Sequence, residues 1–356
     1  MSREADMPRD AIELEAALSR LGLKSAEIHA LVSAALPAAI LRREPRRDDE
    51  IPRGASKFGG APDLPEHLPW PERPPVADAS QFAEIHLLRT RRARDAARAK
   101  HLVGYRSRED AEAEAAAHER RARDAARAFP LAFVCQIDVA ALRTAAVLDK
   151  VMDEGLPNTG RLLFFYDFWQ GPPGYEPSSK VCWRVIHDTL PATHTVRRAP
   201  PQALCEIDEI DAHCGVLASA FFSYAPVFSP PVPEDLRFPE EALSAHSLKR
   251  YEDWIEGFAP GSVDGRDNHQ FGGRARFCQG TAQMSAQSAF HGVRLGSTNY
   301  ETAETEAAAA AWRCLLQLGT DSVLGQCPTG MLVFLMRETD LRSGRFGNVW
   351  ADYACD

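Results

Sequence analysis

The sequence predicts an α+β fold in which two related, mainly antiparallel β-sheet units follow an N-terminal helical region and carry an inserted helical hairpin. Three observations predict it. Apolar runs of strand length recur between turn residues, an alanine- and arginine-rich segment interrupts them, and the same short motifs occur in the same order in both halves. A chain of 356 residues is long enough for about two domains.

The N-terminal region, residues 1–50, is predicted to be helical over residues 10–41. Leu14, Leu18 and Leu21 recur at helical spacings, and apolar residues continue in the same style beyond them. Gly22 favours an interruption, so the pattern fits two shorter helices as well as one.

A helical hairpin is predicted at 82–128, inserted into the first β-rich unit at 51–224. The nine-residue string RRARDAARA occurs at 91–99 and again at 120–128, with a turn expected between the copies at Gly104. These arginines could suggest nucleic-acid binding. Acidic residues are interleaved with them, however, so a solvated helix face is the favoured interpretation.

The remaining organisation follows from strand and turn patterns. Strands are predicted within 130–138 and 161–168, the second covered on both faces because both of its alternating sets of side chains are apolar. Trp70, in a proline-rich loop, is expected to pack that loop onto the body. A proline-rich connector at 225–242 precedes the second β-rich unit at 243–356.

The two units share motifs to which we assign structural roles. An aromatic-Gly-Gly motif, a glutamine near a strand end and a Thr-Gly turn before an apolar strand occur in each half. Paired glycines allow positive φ, and a buried glutamine needs partners for its amide. The motif residues are Phe58, Gly59, Gly60, Trp70 and Gly160 in the first unit, and Phe271, Gly272, Gly273 and Gly330 in the second.

These sequence motifs, in this order, resemble those of the DUF1963, or YwqG-like, family of bacterial proteins. The resemblance rests on SKFGGAPDLP and LPWPE (56–72), PLAFVCQID (130–138), LPNTGRLLFFYDF (156–168), HQFGG (269–273), LLQLGTD (315–321), CPTGMLVFLM (327–336) and NVWADYACD (348–356). It implies a duplicated α+β fold dominated by antiparallel sheet and no established reaction. Because some members lie near toxin systems, it also implies that an immunity-like role is conceivable.

Composition excludes several classes of function. The net charge of −9 and pI near 5.7 argue against nucleic acid or an anionic membrane as the general partner. No stretch is long and apolar enough to span a membrane, and the acidic N-terminus is unlike a signal peptide, so we expect a cytoplasmic protein. In that reducing compartment the cysteines are expected to be thiols. We also expect a monomer.

No cofactor or metal is expected. A metal site drawn from Cys205 to Cys214 has no familiar ligand spacing, and a nucleophilic Cys278 beside Arg274 and His269 is less probable than a strand cysteine near a turn. Neither Phe-Gly-Gly motif continues as a nucleotide-binding loop.

Our leading hypothesis is a non-catalytic protein-binding module that uses the hairpin as a contact surface. The alternative is an enzyme or small-molecule binder with a cleft between the two repeats. The cleft candidates are His269, Gln270, Arg274, Arg276, Gln136 and Gln317.

Overall fold

The structure, a computed structural model, describes residues 8–208, 210, 214–258, 269–275, 280–296, 302–319 and 330–355. It confirms the α+β class. The α-helices are α1 Ala11–Arg20, α2 Ser25–Ala34, α3 Ala79–Arg98, α4 Arg108–Ala125, α5 Val139–Ala145, α6 Lys150–Gly155, α7 Gln202–Asp208, α8 Ala245–Phe258, α9 Ala282–Phe290, α10 Ala303–Ala309 and α11 Glu338–Arg342. The strands are β1 Leu36–Pro45, β2 Lys57–Phe58, β3 Asp63–Pro65, β4 Glu72–Arg73, β5 Phe129–Pro130, β6 Ala132–Asp138, β7 Arg161–Tyr166, β8 Trp183–Asp188, β9 Thr195–Arg197, β10 Ala220–Ser229, β11 Gln270–Gly272, β12 Trp312–Leu318, β13 Gly330–Arg337 and β14 Trp350–Cys355.

Ten of these strands form one antiparallel sheet. Its order is β14-β13-β12-β11-β1-β10-β2-β6-β7-β8, while β3 pairs with β9 and β4 pairs with β5 in two small sheets. The long strands β1 and β10 pair along their whole length at the centre, with four strands on either side. The sheet therefore runs across both predicted units.

The sheet curls so that its two ends face each other across one core. The ring of Phe164 on β7 lies 5.1 Å from that of Phe334 on β13, and Trp183 on β8 lies 5.0 Å from Trp350 on β14. All four side chains are buried. Aromatic contacts between strands at opposite ends require strong curvature, so the halves share a single hydrophobic core.

The two flanks of the sheet correspond in detail. In the first flank Lys57 lies opposite Gln136, and in the second Gln270 lies opposite Gln317. The register shifts between Phe133 and Cys135 on β6 and between Cys314 and Leu316 on β12, next to those glutamines. A β-bulge at the same place in each flank is what a duplication requires. The duplication itself stays a prediction.

The N-terminal region differs from its prediction in one element. Helices α1 and α2 are separate, and Gly22 between them has a φ of +75°. The expectation of helix up to residue 41 is wrong, because Leu36–Pro45 is strand β1. Its backbone bonds are made with β10 and β11, so tertiary pairing overrides local helix preference. The predicted connector likewise begins later, since β10 continues to Ser229.

The helical hairpin is confirmed. Helices α3 and α4 are joined through Gly104, whose φ is +83°. Thr90 of α3 donates to the carbonyl oxygen of Ala115, and Arg94 pairs with Glu119 at 2.7 Å. Small side chains at the interface let the two helices approach closely. None of the helices in the described part of the chain is both long and apolar enough to cross a membrane.

Candidate functional site

The predicted cleft residues of the second unit lie inside the protein. His269, Gln270 and Arg274 are between 1% and 5% exposed. Gln270 donates through Nε2 to the carbonyl oxygens of Gly272 and Arg274, and Arg274 pairs with Asp235 at 3.3 Å. These side chains hold the Gly-Gly turn and its surroundings together. Arg276 and Cys278 lie outside the described residues.

His269 is the most strongly perturbed of these groups. Burial lowers its pKa to about 3, and the positive charge of Arg43 acts in the same direction. Its Nδ1 accepts a hydrogen bond from the backbone N–H of Gly319 at 3.3 Å, and its ring stacks on Phe58 with centroids 6.0 Å apart. The imidazole is therefore neutral and enclosed, and its contacts with Phe58 and Gly319 join the two flanks of the sheet.

Gln136 of the first unit belongs to a buried polar network. Its Nε2 donates to the carbonyl oxygen of Ala55 at 2.7 Å and to Asp63 Oδ2 at 2.8 Å, while its Oε1 accepts from the Asp63 N–H at 3.0 Å. Ala55 and Asp63 bracket the first Gly-Gly turn. Gln317, the counterpart on β12, is also fully buried.

Charged side chains complete this network. Although burial opposes it, hydrogen bonds from Arg197, Gly54 and Gln136 lower the pKa of Asp63. Lys57 is fully buried and donates to Asp48 Oδ1 at 2.5 Å. Burial lowers the pKa of Lys57, and Asp48 opposes that shift. Lys57 and Asp63 are thus paired and hydrogen-bonded within the protein. Their charges stabilise the Gly59-Gly60 turn and do not face a ligand.

A pocket of about 550 Å³ opens beside this network. It lies where β6 ends and β7 begins, with the residues after β8 forming its other side. Polar and small residues line it, among them Arg53, Gly54, Asp138, Gly160, Arg161 and Thr189. The volume is within the range of small-molecule sites. The pocket belongs to the first unit, and the sequence analysis named only Gly160 from its lining.

Gly160 has a structural reason to be glycine. Its φ is +95°, and a Cβ there would come 2.6 Å from the carbonyl oxygen of Asp188. The Gly-Gly turns are similar, with φ of +53° and +68° at Gly59 and Gly60 and +72° at both Gly272 and Gly273. In each case the left-handed backbone favours glycine.

Arg161 is the buried cation of the pocket. Its side chain is 6% exposed and pairs through Nη2 with Asp188, which is 3% exposed, and Nη2 also donates to the Leu190 carbonyl oxygen at 2.8 Å. Its Nε has no hydrogen-bond partner among the residues described. A Cβ at Gly54 would lie 3.3 Å from Nη1, so a larger residue at position 54 would press against the guanidinium. A charged residue opening an otherwise apolar strand is the sequence signal for this site.

The second surface of interest is the outer face of α3. Ile85, Leu87 and Leu88 are 47%, 41% and 48% exposed, and Val103 in the following turn is 77% exposed. Half of the large exposed apolar side chains in the described residues thus lie on the hairpin, the others being Ile12, Val147, Tyr175 and Val196. We call Ile85, Leu87 and Leu88 the α3 patch.

Helix α4 anchors the hairpin to the body. Asp124 is 1% exposed, and its carboxylate accepts from the Trp169 indole N–H at 2.9 Å and from Arg120 and Arg127. Arg73 donates to the Asp124 carbonyl oxygen and pairs with the buried Asp167. The hairpin is therefore held firmly at its base. Asp95, the equivalent residue in the first copy of the repeated string, is exposed.

The hairpin also contains a buried histidine pair. Nδ1 of His86 lies 3.0 Å from Nδ1 of His118, between the two helices. Burial lowers the pKa of His86 to about 4, and the neighbouring His118 contributes in the same direction. One of the two Nδ1 atoms must carry a hydrogen and donate it in a hydrogen bond to the other, so the two rings form a neutral hydrogen-bonded pair.

Two other predicted features can be placed. Trp70 donates through Nε1 to the Leu131 carbonyl oxygen at 2.8 Å and packs edge-on to Phe165, which holds its loop against the sheet. Cys205 is an exposed thiol, whereas Cys214 is disulfide-bonded, which corrects the expectation of a thiol there. In the described residues, no three His, Cys, Asp or Glu side chains are grouped to hold a metal ion.

Comparison with known sequences agrees with the motifs. A family model described as "Domain of unknown function (DUF1963)" matches residues 56–355. The chain belongs to the DUF1963 family. A search of curated proteins finds no match. In this DUF1963 protein the hairpin and Arg161 lie inside the matched range, whereas Arg53, Gly54 and the central strand β1 precede it.

Proposed function

We propose that this DUF1963 protein is a non-catalytic protein-binding module whose partner docks on the α3 patch. The observation that carries the proposal is the exposure of three large aliphatic side chains on α3, which packs against the anchored helix α4. Clustered exposed apolar side chains mark interaction surfaces more often than scattered ones do. Each is already about half covered, so completing its burial contributes roughly half of the about 1.5–3 kcal/mol expected for a fully exposed side chain.

Charge supports a particular kind of partner. Between residues 79 and 100 there are six basic side chains, Arg89, Arg91, Arg92, Arg94, Arg98 and Lys100, and two acidic ones, Glu84 and Asp95. The whole chain carries −9, so α3 is a basic surface on an acidic protein. The partner we propose is a protein with an acidic rim around an apolar pocket, because opposite charge speeds and orients association.

The anchoring of α4 favours binding without rearrangement. The base of the hairpin is held by the buried Asp124 and by the ion pair of Arg73 with Asp167, so α3 is presented in a fixed position. A preorganised surface loses little conformational entropy on binding. An immunity-like role, in which the partner is a toxin, is one form of this proposal.

The rival function, catalysis or ligand binding by His269 and Arg274, has less support. Both side chains are buried, and both have hydrogen-bond partners. We further propose a cytoplasmic monomer. Free thiols at Cys135, Cys182 and Cys314 are consistent with a reducing compartment, although the disulfide at Cys214 is not.

The test is capture of a partner by the purified protein from nuclease-treated host lysate, followed by reconstitution and calorimetry. In the variant Ile85→Glu/Leu88→Glu we expect affinity to fall at least about a hundredfold, since two apolar anchors are lost. The matched control is Val147→Glu, because Val147 is 67% exposed and lies away from the hairpin.

Circular dichroism checks that all variants fold. Equal binding by wild type and the double variant would refute the α3 patch as the docking surface. A partner captured from untreated lysate but absent from the nuclease-treated sample would instead indicate nucleic acid bound by the arginines of α3.

A further inference from the structure

The pocket beside β7 contains donors that the protein itself does not satisfy. Arg161 is nine-tenths buried and lines the pocket, yet its Nε has no partner among the described residues. Leaving a buried charged donor unpaired is costly, and such exceptions call for a specific explanation. Nε itself is enclosed, whereas Nη1, beside Gly54, makes no hydrogen bond with the described residues and is the N–H that can meet an acceptor supplied from the pocket.

A second arginine, Arg53, lines the same pocket from the segment before β2. Arg53 is exposed, and its Nη1 donates to the Thr195 carbonyl oxygen at 3.0 Å, which orients the side chain. Arg161 has Asp188 as its counter-ion, but within the described residues no carboxylate pairs with Arg53. Arg53 thus adds an uncompensated positive charge at the pocket.

The one carboxylate in the lining does not cancel this charge. Asp138 accepts through Oδ1 from the backbone N–H groups of Ala140 and Ala141, at 3.0 and 3.2 Å. It therefore caps α5, where the helix N-terminus compensates its negative charge. Thr159 and Thr189 place two hydroxyl groups at the rim.

The glycines make close approach possible. Gly54 stands next to Arg161 Nη1 and Gly160 next to the strand end, and neither has a side chain to cover the guanidinium. Arginine is the residue best suited to planar oxyanions, because its N–H groups match the spacing of carboxylate and phosphate oxygens.

We propose that this pocket binds the oxyanion group, carboxylate or phosphate, of a small metabolite, with Arg161 and Arg53 as its donors. The site is separate from the α3 patch and does not depend on the function proposed above. Arg161 lies at the start of β7, whereas the hairpin base meets the residue after its end, six positions later and about 20 Å away along the strand.

The experiment is isothermal titration calorimetry with two probes, succinate and inorganic phosphate, against sodium chloride at matched ionic strength. We expect one probe to bind with a Kd of about 1 mM or tighter, as small charged ligands with two arginine contacts do. Binding of succinate alone identifies a carboxylate ligand, and binding of phosphate alone identifies a phosphoryl ligand.

Two exposed substitutions test the site without disturbing the buried ion pair. Arg53→Ala should weaken binding about tenfold or more, because a charge-assisted hydrogen bond is lost. Thr189→Glu should do the same by placing a like charge at the rim. Arg184→Ala is the control and should bind as wild type does, because Arg184 is an exposed arginine near the start of β8, at the other end from the pocket. The proposal is overturned if neither probe binds, or if Arg53→Ala binds both as tightly as the control.

Discussion

Acidification should destabilise this protein through its buried histidines, chiefly His269 and His86, while burial lowers the pKa of His118 in the same direction. His269 is 1% exposed and His86 is 5% exposed, with pKa values lowered from 6.5 to about 3 and about 4. A depressed histidine pKa means that the unfolded chain binds the proton more readily than the folded one. Stability from these groups is therefore fully present above pH 6.5 and is lost as the pH falls towards the folded pKa values.

The size of the effect follows from the cited shifts. Between about pH 7.5 and about pH 5, each histidine lowers the free energy of unfolding by about 2 kcal/mol. When the unfolded chain binds one proton more than the folded one, each pH unit changes that free energy by about 1.4 kcal/mol. Two buried carboxyl groups, Asp352 and Asp167, act in the opposite direction, because burial raises the pKa of each. Burial raises the pKa of Asp352 to about 6, so its protonation in the folded state returns about 1.4 kcal/mol over the same interval. The net loss from His269, His86 and Asp352 together should be about 2–3 kcal/mol, a large share of a typical folding stability of about 5–15 kcal/mol.

Urea unfolding followed by circular dichroism at the two pH values measures this difference. The variant His269→Gln cannot titrate at that position, so its loss on acidification should be smaller than that of wild type by about 2 kcal/mol. His246→Gln, on the exposed face of α8, is the control and should behave as wild type does. An identical pH response in wild type and His269→Gln would show that His269 is not held neutral by burial.

Further predictions concern the first unit. Gln136→Leu should lower the free energy of unfolding by about 3 kcal/mol or more, since it leaves several buried backbone and carboxylate groups unpaired; urea unfolding should show almost no change for the exposed Gln202→Leu. Gly160→Ala should lower the unfolding temperature more than Gly104→Ala, because both have positive φ but only Gly160 has a carbonyl oxygen in the way of a Cβ. Similar unfolding temperatures for the two alanine variants would contradict the close approach at Gly160.

Local patterns in the sequence predicted much of this fold. The apolar run at 161–168 became β7, buried on both faces, and the alanine-rich segment became the hairpin. Both are cases in which side-chain character along a short stretch decides the structure. Strand β1 was missed because LPAAILRREP has no clear alternation, and what makes it a strand is pairing with β10 residues 175 to 193 positions away.

The candidate pocket could not be predicted for the same reason. Arg53, Arg161 and Thr189 are far apart in sequence and meet only after β6, β7 and β8 pair. The cleft residues chosen from sequence, such as Gln136 and His269, were polar residues near conspicuous motifs. These side chains are buried and hold the motifs together. The two arginines of the pocket, Arg53 and Arg161, stand outside the Phe-Gly-Gly motifs, so these motifs did not point to them.

The pocket and the base of the hairpin lie at opposite ends of β7, and this separation should make the two proposed sites independent. Arg161 begins the strand at the pocket, and Asp167 follows its end, where it pairs with the arginine that holds the base of α4. Effects of substitutions more than about 10 Å apart without shared partners usually add. Arg53→Ala should therefore leave partner affinity unchanged, and Ile85→Glu/Leu88→Glu should leave succinate or phosphate binding unchanged. If occupancy of the pocket instead altered partner affinity, the buried strand between them would be the element that couples ligand to partner, and the measured change in affinity would give the coupling free energy directly.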